Sequence, residues 1–443
     1  MTRRREFLIG SGAAAITALA GCSGGSGGDS GGDEATDTET MDTAEATTTG
    51  DGGGGGDLSV GVLLPFSGEY AWVGENVLPV VRMLAEEVNE QGGVGGREVT
   101  LVQGDTEGSP EASISAAEKL INVNEVAGII GPTSITMSSV FDLFQENQVP
   151  TVTPTAGTTS LDERGGEYVF RTVPSDALGG RAIARALRSQ EYNTVADYSD
   201  MALAVGNQEV FQSFKQPIQS SFEEFGGSLT ESLDFKTGKA SYESEAQTIV
   251  SSDPEITTLV ASKDDSIKIM QAAFRAGYEG NWYVTQDQTT EVFLEEAPEE
   301  VTQGILGLQS APYQEAAEAG RIDAFQERVQ EYTGSEPRQF ARNAYDAMNT
   351  LGLAMQATAL AGDDVTPANV AGNVRTVTDP ADTVVTNYTD GAAALEDADA
   401  LDYRGLVGPI DFDEDGDVSA PFSIQLADGG SWTEASVIPP SEL

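Results

Sequence analysis

Apolar residues recur along this chain in two alternating rhythms, one typical of buried strands and one typical of amphipathic helices. Residues 58–64 (LSVGVLL) form an apolar run of strand length, and residues 74–91 carry apolar side chains at helical spacing. The alternation continues with strands predicted at 98–102, 126–130 and 149–152 and helices predicted at 110–124 and 134–146. Strands separated by helices of this length predict βαβ crossovers and a parallel sheet that is covered on both faces.

A second block of the chain repeats this rhythm. Its predicted helices are 177–189, 208–225, 240–251 and 266–276, and its predicted strands are 194–197, 229–233, 256–260, 282–285 and 304–308. Helical stretches at 315–332 and 337–360 follow, and 409–412 and 421–426 are strand-like. The pattern therefore predicts an α/β protein with two doubly wound lobes. Ligands bind beyond the carboxyl ends of the strands in such sheets, so two lobes can face each other across a cleft.

Composition narrows the chemistry that this fold can carry. The chain has 72 Asp+Glu against 23 Lys+Arg, no His and one Cys, and its net charge is −49. The composition excludes His-dependent triads, His-ligated zinc, intramolecular disulfides and CxxC redox chemistry. We predict no cofactor and no metal site. We also predict no nucleic-acid partner, because the net negative charge of the protein would repel a phosphate backbone. The acids run along the whole length, which is typical of a halophilic protein surface.

The N-terminal segment predicts export and lipid anchoring. Arg3-Arg4-Arg5 precedes a short, mildly apolar run, as in a twin-arginine signal sequence over residues 1–21. Residues 19–22 (LAGC) resemble a lipobox, in which Cys22 becomes the lipidated first residue of the mature protein. The alternative is an unremarkable lone cysteine behind an apolar stretch.

Residues 22–57 are rich in Gly, Thr and acidic residues and contain no basic or aromatic residue. Such a composition predicts a disordered acidic tether, because it cannot bury enough apolar surface to offset the entropy of ordering. No later segment reaches 18 uninterrupted apolar residues. We therefore expect a protein that is anchored at the cell surface, on the outer face of the cytoplasmic membrane, and does not span it.

Hydroxyl-bearing residues follow two neighbouring predicted strands. Thr133 and Ser134 come after a Gly-Pro turn at the start of a predicted helix, where N–H groups and the helix dipole suit a carboxylate. Thr155, Ala156 and Thr158 follow the next strand. Each loop alone is equally explained by an ordinary helix N-cap, but the two together predict a ligand site.

Three more residues are candidates for the same site. Asp287 comes just past the predicted strand 282–285 and could accept a ligand ammonium, although it is one acid among 72. Tyr70 and Trp72 lie in the first strand–helix loop, where they either pack or form a pocket wall.

Other motifs do not change this interpretation. Residues 411–416 (DFDEDG) begin like a calcium loop, but the twelfth position is Phe422 where a bidentate Glu is required, so we interpret them as an acidic turn. Asn387-Tyr388-Thr389 is a glycosylation sequon of the kind that chance supplies. No nucleotide-binding glycine motif is present.

Several stretches jointly resemble the solute-binding proteins of branched-chain amino-acid and amide ABC importers, a family of the periplasmic-binding-protein type I fold. They are 60–68 (VGVLLPFSG), 90–97 (EQGGVGGR), 128–134 (GIIGPTS), 150–155 (PTVTPT), 168–176 (YVFRTVPSD), 344–347 (AYDA) and 405–412 (GLVGPIDF). The resemblance implies two lobes joined by three crossovers that close on a ligand. With it we expect lobe 1 to comprise 58–175 and about 310–400, and lobe 2 to comprise 176–309 and about 401–443.

The resemblance also implies roles for residues. Ser134 and Thr155 would cradle a carboxylate, and Asp287 would stand where these binders have an acidic partner for the ammonium. Two positions depart from the family pattern: Gly157 replaces a hydroxyl residue, and Val205 replaces a tyrosine that lines the second lobe. Thr158 could compensate for the first departure. A larger ligand, or one that lacks the α-amino group, therefore fits about as well as leucine.

The resulting hypothesis is a non-enzymatic, monomeric lipoprotein that captures a small polar organic solute by lobe closure and delivers it to ABC permease subunits. The solute would be an amino acid, an amide or a small carboxylate. Two alternatives remain open. One is an extracellular hydrolase that uses paired carboxylates, and the other is a ligand-sensing receptor domain.

Overall fold

The computed structural model of the protein describes residues 56–443. The predicted signal sequence (1–21), the lipidation site Cys22 and all but the last two residues of the predicted tether (22–57) lie outside the described residues. Among the described helices, none combines the length and the apolar character that crossing a membrane requires.

The first lobe is built on a five-stranded sheet in which every pair of neighbours is parallel. Its strands, in the spatial order β2-β1-β3-β4-β5, are β1 (Leu58–Leu64), β2 (Val99–Asp105), β3 (Gly128–Ile130), β4 (Thr151–Thr153) and β5 (Val169–Arg171). The helices between them are α1 (Ala71–Glu90), α2 (Pro110–Asn122) and α3 (Ser134–Glu146). Ser109 caps α2 and Pro110 occupies its first turn, which is why that helix begins where it does.

The second lobe contains a seven-stranded sheet, and the five of its strands that come first in the sequence are parallel to one another. These are β6 (Asp200–Gly206), β7 (Ser228–Phe235), β8 (Ile256–Val260), β9 (Asn281–Val284) and β10 (Leu306–Ser310). Its helices are α4 (Asp176–Leu187), α5 (Gln190–Asn193), α6 (Glu209–Glu224), α7 (Glu243–Ser252), α8 (Lys263–Arg275), α9 (Glu291–Glu296) and α10 (Glu299–Thr302).

After β10 the chain returns to the first lobe and then crosses back. The returning elements are α11 (Gln314–Glu318), α12 (Arg321–Thr333), α13 (Ala341–Leu360), α14 (Pro367–Thr378), β11 (Val384–Val385), α15 (Tyr388–Ala394) and β12 (Asp402–Tyr403). The last two strands are β13 (Phe422–Asp428) and β14 (Ser431–Ile438). Strand β13 pairs antiparallel with β10 and β14 pairs antiparallel with β13, so the second sheet has the order β14-β13-β10-β9-β8-β6-β7. Three crossings thus join the lobes, as the fold prediction requires.

Close approach of α13 to the first sheet explains one glycine. A Cβ atom on Gly128 of β3 would lie 2.6 Å from Leu351 Cδ1, which is too close for two carbon atoms. Gly128 therefore lets α13 pack directly on the sheet, where Leu351 is fully buried in the main apolar core of this lobe.

The predicted strand at 194–197 is wrong. Residues Gln190–Asn193 form the short helix α5, which ends at Thr194 in the left-handed conformation (φ 60°). The strand is β6, six residues further along, and all but its first residue are buried. A continuous apolar run is typical of a central parallel strand that is covered on both faces.

The second lobe takes less of the C-terminal segment than we expected. Residues 409–412, predicted as a strand, form only an isolated bridge between Pro409 and Arg404, and Ile410 and Phe412 pack in the core of the first lobe. The Asp346 carboxylate of α13 holds this segment by accepting hydrogen bonds from the N–H groups of Leu406 (2.9 Å) and Val407 (2.9 Å). Residues 401–418 therefore lie with the first lobe, and the crossing falls immediately before β13.

Candidate functional site

A cleft of about 1070 Å³ lies between the two lobes. From the first lobe it is lined by the start of α1, one face of α12 and residues 335–343. From the second lobe it is lined by residues 262–264, 286–287, 289–292 and 309–310. The first three segments follow strands β8 and β9, and 309–310 are the last residues of β10, so the cleft lies at the carboxyl ends of those strands, where α/β sheets bind ligands.

Side chains from the two lobes meet across this gap. The Tyr70 hydroxyl hydrogen-bonds Gln208 Oε1, and Ser138 Oγ donates to Glu209 Oε1 (2.7 Å). Gln339 Nε2 donates to Asp287 Oδ1 at 3.3 Å. These bonds join positions that are far apart in sequence, and they can only be made while the lobes are close together.

Asp287 lies on the short turn that follows β9, and it lines the cleft. Burial raises the pKa of its carboxyl group, while the hydrogen bond from Gln339 acts in the opposite direction. No Lys or Arg nitrogen of residues 56–443 lies within 4 Å of this carboxylate. A ligand ammonium would supply the missing cationic partner.

Tyr70 and Trp72 also line the cleft, next to residues of the loop before α13. The Trp72 and Phe340 rings are stacked, with centroids 6.2 Å apart and planes inclined by 14°. Burial raises the pKa of the Tyr70 hydroxyl above its ordinary value, so the group is a neutral hydrogen-bond donor at neutral pH. This wall offers an apolar face with a few polar groups, as ligand pockets generally do.

The hydroxyl loops form a separate, tightly bonded group. Thr153 Oγ1 and Thr155 Oγ1 both donate to the Pro132 carbonyl, at 2.6 and 3.3 Å. The N–H groups of Thr155 and Ala156 in turn donate to Thr153 Oγ1 (3.2 and 3.1 Å). The donors that we expected to cradle a carboxylate are thus engaged within the protein.

Ser134 and Thr158 are brought together by the fold. The Thr158 N–H donates to Ser134 Oγ at 3.2 Å, which ties the two hydroxyl loops to each other. Thr133 is the N-cap of α3 but its side chain makes no capping bond. Its hydroxyl is buried without a hydrogen-bond partner in the described part of the chain. A buried hydroxyl of this kind is a candidate to meet a ligand or a water molecule.

The predicted site residues therefore fall into two groups. Tyr70, Trp72 and Asp287 line the interlobe cleft. The others are buried in the first lobe and are absent from the cleft lining: Thr133, Ser134, Thr155, Ala156 and Thr158.

Asp176 is a residue of this region that sequence reasoning missed. It begins α4 in the second lobe, accepts a hydrogen bond from Ser213 Oγ, and burial raises its pKa to about 7. A Cβ atom on Gly157 would lie 2.3 Å from Asp176 Oδ1. The carboxyl group thus fills the space in which a side chain at position 157 would stand. The signal in the sequence was Gly157, which stands where the family pattern has a hydroxyl-bearing residue.

Arg171 of β5 holds the same loop from the other side. Its Nη1 donates to the carbonyls of Gly157 and Thr158, each at 3.0 Å, and its guanidinium pairs with Asp162 and Asp417. The side chain is fully buried. Arg171 therefore positions the second hydroxyl loop and links it to the segment that leads to β13.

Val205 does not have the place that the resemblance implied. It lies inside β6 and is completely buried in the second-lobe core, so it forms no pocket wall. The residues that reach the first lobe from this part of the chain are Gln208 and Glu209.

Comparison with known proteins agrees with this architecture. The chain matches the family model described as periplasmic binding protein over residues 57–431. The Leu/Ile/Val-binding protein BraC3 of Rhizobium johnstonii is 35% identical over 121 residues, which are 27% of this chain and 33% of that protein. Leu/Ile/Val-binding protein homolog 7 of Brucella abortus is 27% identical over 229 residues, which are 50% of this chain and 56% of that protein. These matches thus span about a third to about half the length of the curated relatives.

Solved structures resemble the whole described body. The leucine binding protein LivK of Thermotoga maritima is 22% identical, with a TM-score of 0.72 over 87% of this chain and 100% of that chain. A solute binding protein of an ABC transporter from R. palustris, in complex with benzoate, is 20% identical, with a TM-score of 0.66 over 86% of this chain and 96% of that chain. At these identities the likeness establishes the two-lobed fold.

Proposed function

The chain belongs to the periplasmic binding protein family, and from this premise we propose that it is the extracellular solute-binding lipoprotein of an ABC importer. It captures a small polar organic solute between its lobes and delivers it to the permease subunits. The solute is a branched-chain or other amino acid, an amide or a small carboxylate. The observation that carries this proposal is the cleft, which both lobes line and in which Asp287 has no cationic partner among residues 56–443.

The relatives and structural neighbours support this range of solutes. The curated relatives are named as Leu/Ile/Val-binding proteins, and solved neighbours hold isoleucine, leucine, benzoate and 3,4-dihydroxybenzoic acid. Amino acids and aromatic acids share a carboxylate and differ in the ammonium group. Asp287 is the residue that would distinguish the two classes in this chain.

Lobe closure is the proposed mechanism of capture. A ligand shifts the lobes toward the closed arrangement only by as much as it binds that arrangement better than the open one. In the closed form Asp287 receives the ammonium, and Tyr70 and Trp72 form the apolar wall. Of the residues proposed for the carboxylate end (Ser134, Thr133, Thr155, Ala156 and Thr158), only Thr133 has a buried hydroxyl with no hydrogen-bond partner among residues 56–443, so it is the donor that remains available.

Anchoring completes the proposal. Twin-arginine export places the protein outside the cell, lipidation of Cys22 holds it at the membrane, and residues 22–57 act as the tether. The protein works as a monomer in molar salt. A Cys22→Ala variant is expected to leave the membrane fraction and to enter the medium. Retention of this variant in the membrane would contradict the lipid anchor.

The solute-binding role is tested by titrating the purified protein with amino acids, amides and small acids in molar salt. Thermal unfolding and calorimetry are the measurements. At least one solute should raise the melting temperature. Asp287→Asn should lower the affinity for solutes with an ammonium group by roughly tenfold or more and leave the affinity for solutes without one unchanged. Asp397→Asn, an exposed acid outside the cleft, is the matched control. If no solute shifts the melting temperature, the proposed function is wrong.

A further inference from the structure

In the part of the chain that the structure describes, two arginines of the interlobe cleft form no ion pair, although acidic residues are abundant in this sequence. Acids outnumber bases by 72 to 23, and Lys263, which lines the same cleft, pairs with Glu296. Arg338 and Arg342 also line the cleft. Within residues 56–443, no carboxylate oxygen lies within 4 Å of either guanidinium group.

Arg342 is the better placed of the two. It lies in the first turn of α13, and its Nη2 donates to the Ser310 carbonyl at the end of β10 (2.9 Å). A guanidinium has five N–H donors, and this is the side chain's one hydrogen bond within the described residues. Burial lowers the pKa of Arg342, and the charge of Asp346, one helical turn away, only partly opposes this effect, so the shift reflects the cost of holding the guanidinium away from water. An anion in the cleft would offset that cost.

The backbone around Arg342 adds to the positive character of this wall. No acidic residue occupies the first turn of α13, and Phe340 caps the helix with no side-chain bond. Among residues 56–443 we find no acceptor for the N–H groups of Arg342 and Asn343. The partial positive charge of a helix N-terminus thus points to the same side of the cleft as the guanidinium.

The acids of the cleft do not neutralise these groups. The acidic lining residues are Glu69, Asp264, Asp287, Glu291 and Glu336. Asp264 lies 3.7 Å from the Lys263 ammonium, and Asp287 is hydrogen-bonded by Gln339. The cleft therefore contains the Asp287 carboxyl group and the Arg342 guanidinium group, which do not form an ion pair with each other.

We propose that Arg342, with Arg338 at its edge, binds an acid group of the solute that is additional to the carboxylate assigned to the hydroxyl loops. The inference rests on the proposed function and names its solute class: compounds with two acid groups, such as dicarboxylic amino acids or dicarboxylates. A cleft of about 1070 Å³ has room for a solute longer than leucine.

Calorimetric titration of the full chain with six-carbon pairs tests this assignment. The pairs are norleucine with 2-aminoadipate, and hexanoate with adipate, which differ only in the second acid group. The wild-type chain should bind the diacid of at least one pair roughly tenfold or more tightly than its partner. Arg342→Gln should remove this preference and leave the affinity for the mono-acid within about twofold. Arg338→Gln, which changes an exposed side chain, should reduce the preference in part.

Arg82→Gln, an exposed arginine outside the cleft, is the matched control and should retain the preference. Equal binding of both members of each pair, or an equal loss of both in Arg342→Gln, would overturn the inference. If other solutes bind and the diacids do not, the inference is wrong and the proposed function stands. If no solute of any class binds, both are wrong. If Arg342→Gln does not fold, the Arg338→Gln variant is the test, because this side chain is exposed. An unchanged preference for the diacid in Arg338→Gln would then overturn the assignment.

Discussion

The two lobes contribute to the cleft in different ways. In the first lobe the groups around the hydroxyl loops bond to one another, as Thr153 and Thr155 do with Pro132 and Ser134 does with Thr158. In the second lobe Gln208 and Glu209 bond to groups across the gap. The first lobe thus offers a preformed surface, whereas the contacts of the second lobe depend on closure.

The sheets differ in a related way. The first sheet is entirely parallel and is complete by residue 171, while the second sheet receives two antiparallel strands from the C-terminus. Strands β13 and β14 therefore tie the end of the chain into the second lobe, and the chain must cross the interface three times. Three connections of this kind are compatible with the hinge motion that the proposed lobe closure requires.

The largest effect is expected from Arg171→Met in the first lobe. The change leaves Asp162 and Asp417 without their buried partner and releases the carbonyls of Gly157 and Thr158. Unfolding free energy, measured with denaturant, should fall by roughly 3–5 kcal/mol. Arg181→Met removes the exposed pair with Glu224 in the second lobe and should cost about 1 kcal/mol or less. Similar losses in both variants would contradict the preformed character of the first lobe.

A smaller loss is expected from Gly157→Ala, which places a Cβ atom 2.3 Å from Asp176 Oδ1 across the lobes. The cost should be roughly 1–3 kcal/mol, measured by thermal unfolding. Combining it with Asp176→Ala should recover part of the loss, because the clash is removed. Gly372→Ala in α14, with nothing within 4 Å of the new Cβ, is the control and should stabilise slightly. Additive losses in the double variant would rule out the clash.

The pH dependence of stability tests the environment of Asp176. Burial raises its pKa to about 7, so the folded chain binds a proton that the unfolded chain has released between about pH 4 and pH 7. Its contribution to stability is complete below about pH 4 and is lost as the pH rises through about 7. Asp176→Asn should therefore gain about 2–3 kcal/mol relative to wild type on going from pH 5 to pH 8, since each pH unit between the two pKa values is worth about 1.4 kcal/mol. A constant difference across this range would show that Asp176 titrates normally.

The smallest effect is expected from Tyr70→Phe, which removes the hydrogen bond to Gln208 across the gap. One such bond contributes about 1 kcal/mol, so the affinity for any solute should fall about fivefold as the closed form becomes less populated. Tyr332→Phe removes a bond to Glu86 within the first lobe and should leave affinity unchanged. Equal affinities in the two variants would mean that Tyr70 does not favour closure.

Local pattern was sufficient for most regular elements. The bounds predicted for α3 and β8 are those observed, and most other predicted elements differ by a few residues at their ends. Periodicity gave a wrong prediction at residues 194–197, where the chain ends a short helix with Thr194 in the left-handed conformation. It also missed β14, an edge strand with a single buried residue, whose sequence lacks an alternating apolar face.

The candidate site was predictable only in part. Asp287, Tyr70 and Trp72 could be named because each comes just past a strand, Asp287 in the second sheet and the two aromatic residues in the first, and ligands bind beyond the carboxyl ends of such strands. The pairing of Gly157 with Asp176 could not be predicted. Position 157 excludes a side chain only because the Asp176 carboxyl group, which belongs to the opposite lobe, occupies that space. The unpaired state of Arg342 was equally hidden, because it depends on which acids the fold leaves out of reach.

The sequence by itself determined the alternating α/β pattern, the acidic surface and the presence of hydroxyl loops, because each of these is a property of neighbouring residues. Tertiary structure alone decided which lobe residues 401–418 join and which charges in the cleft remain without partners. The physical reason is that packing and pairing depend on distances between residues far apart in the chain, such as the 138 positions that separate Tyr70 from Gln208.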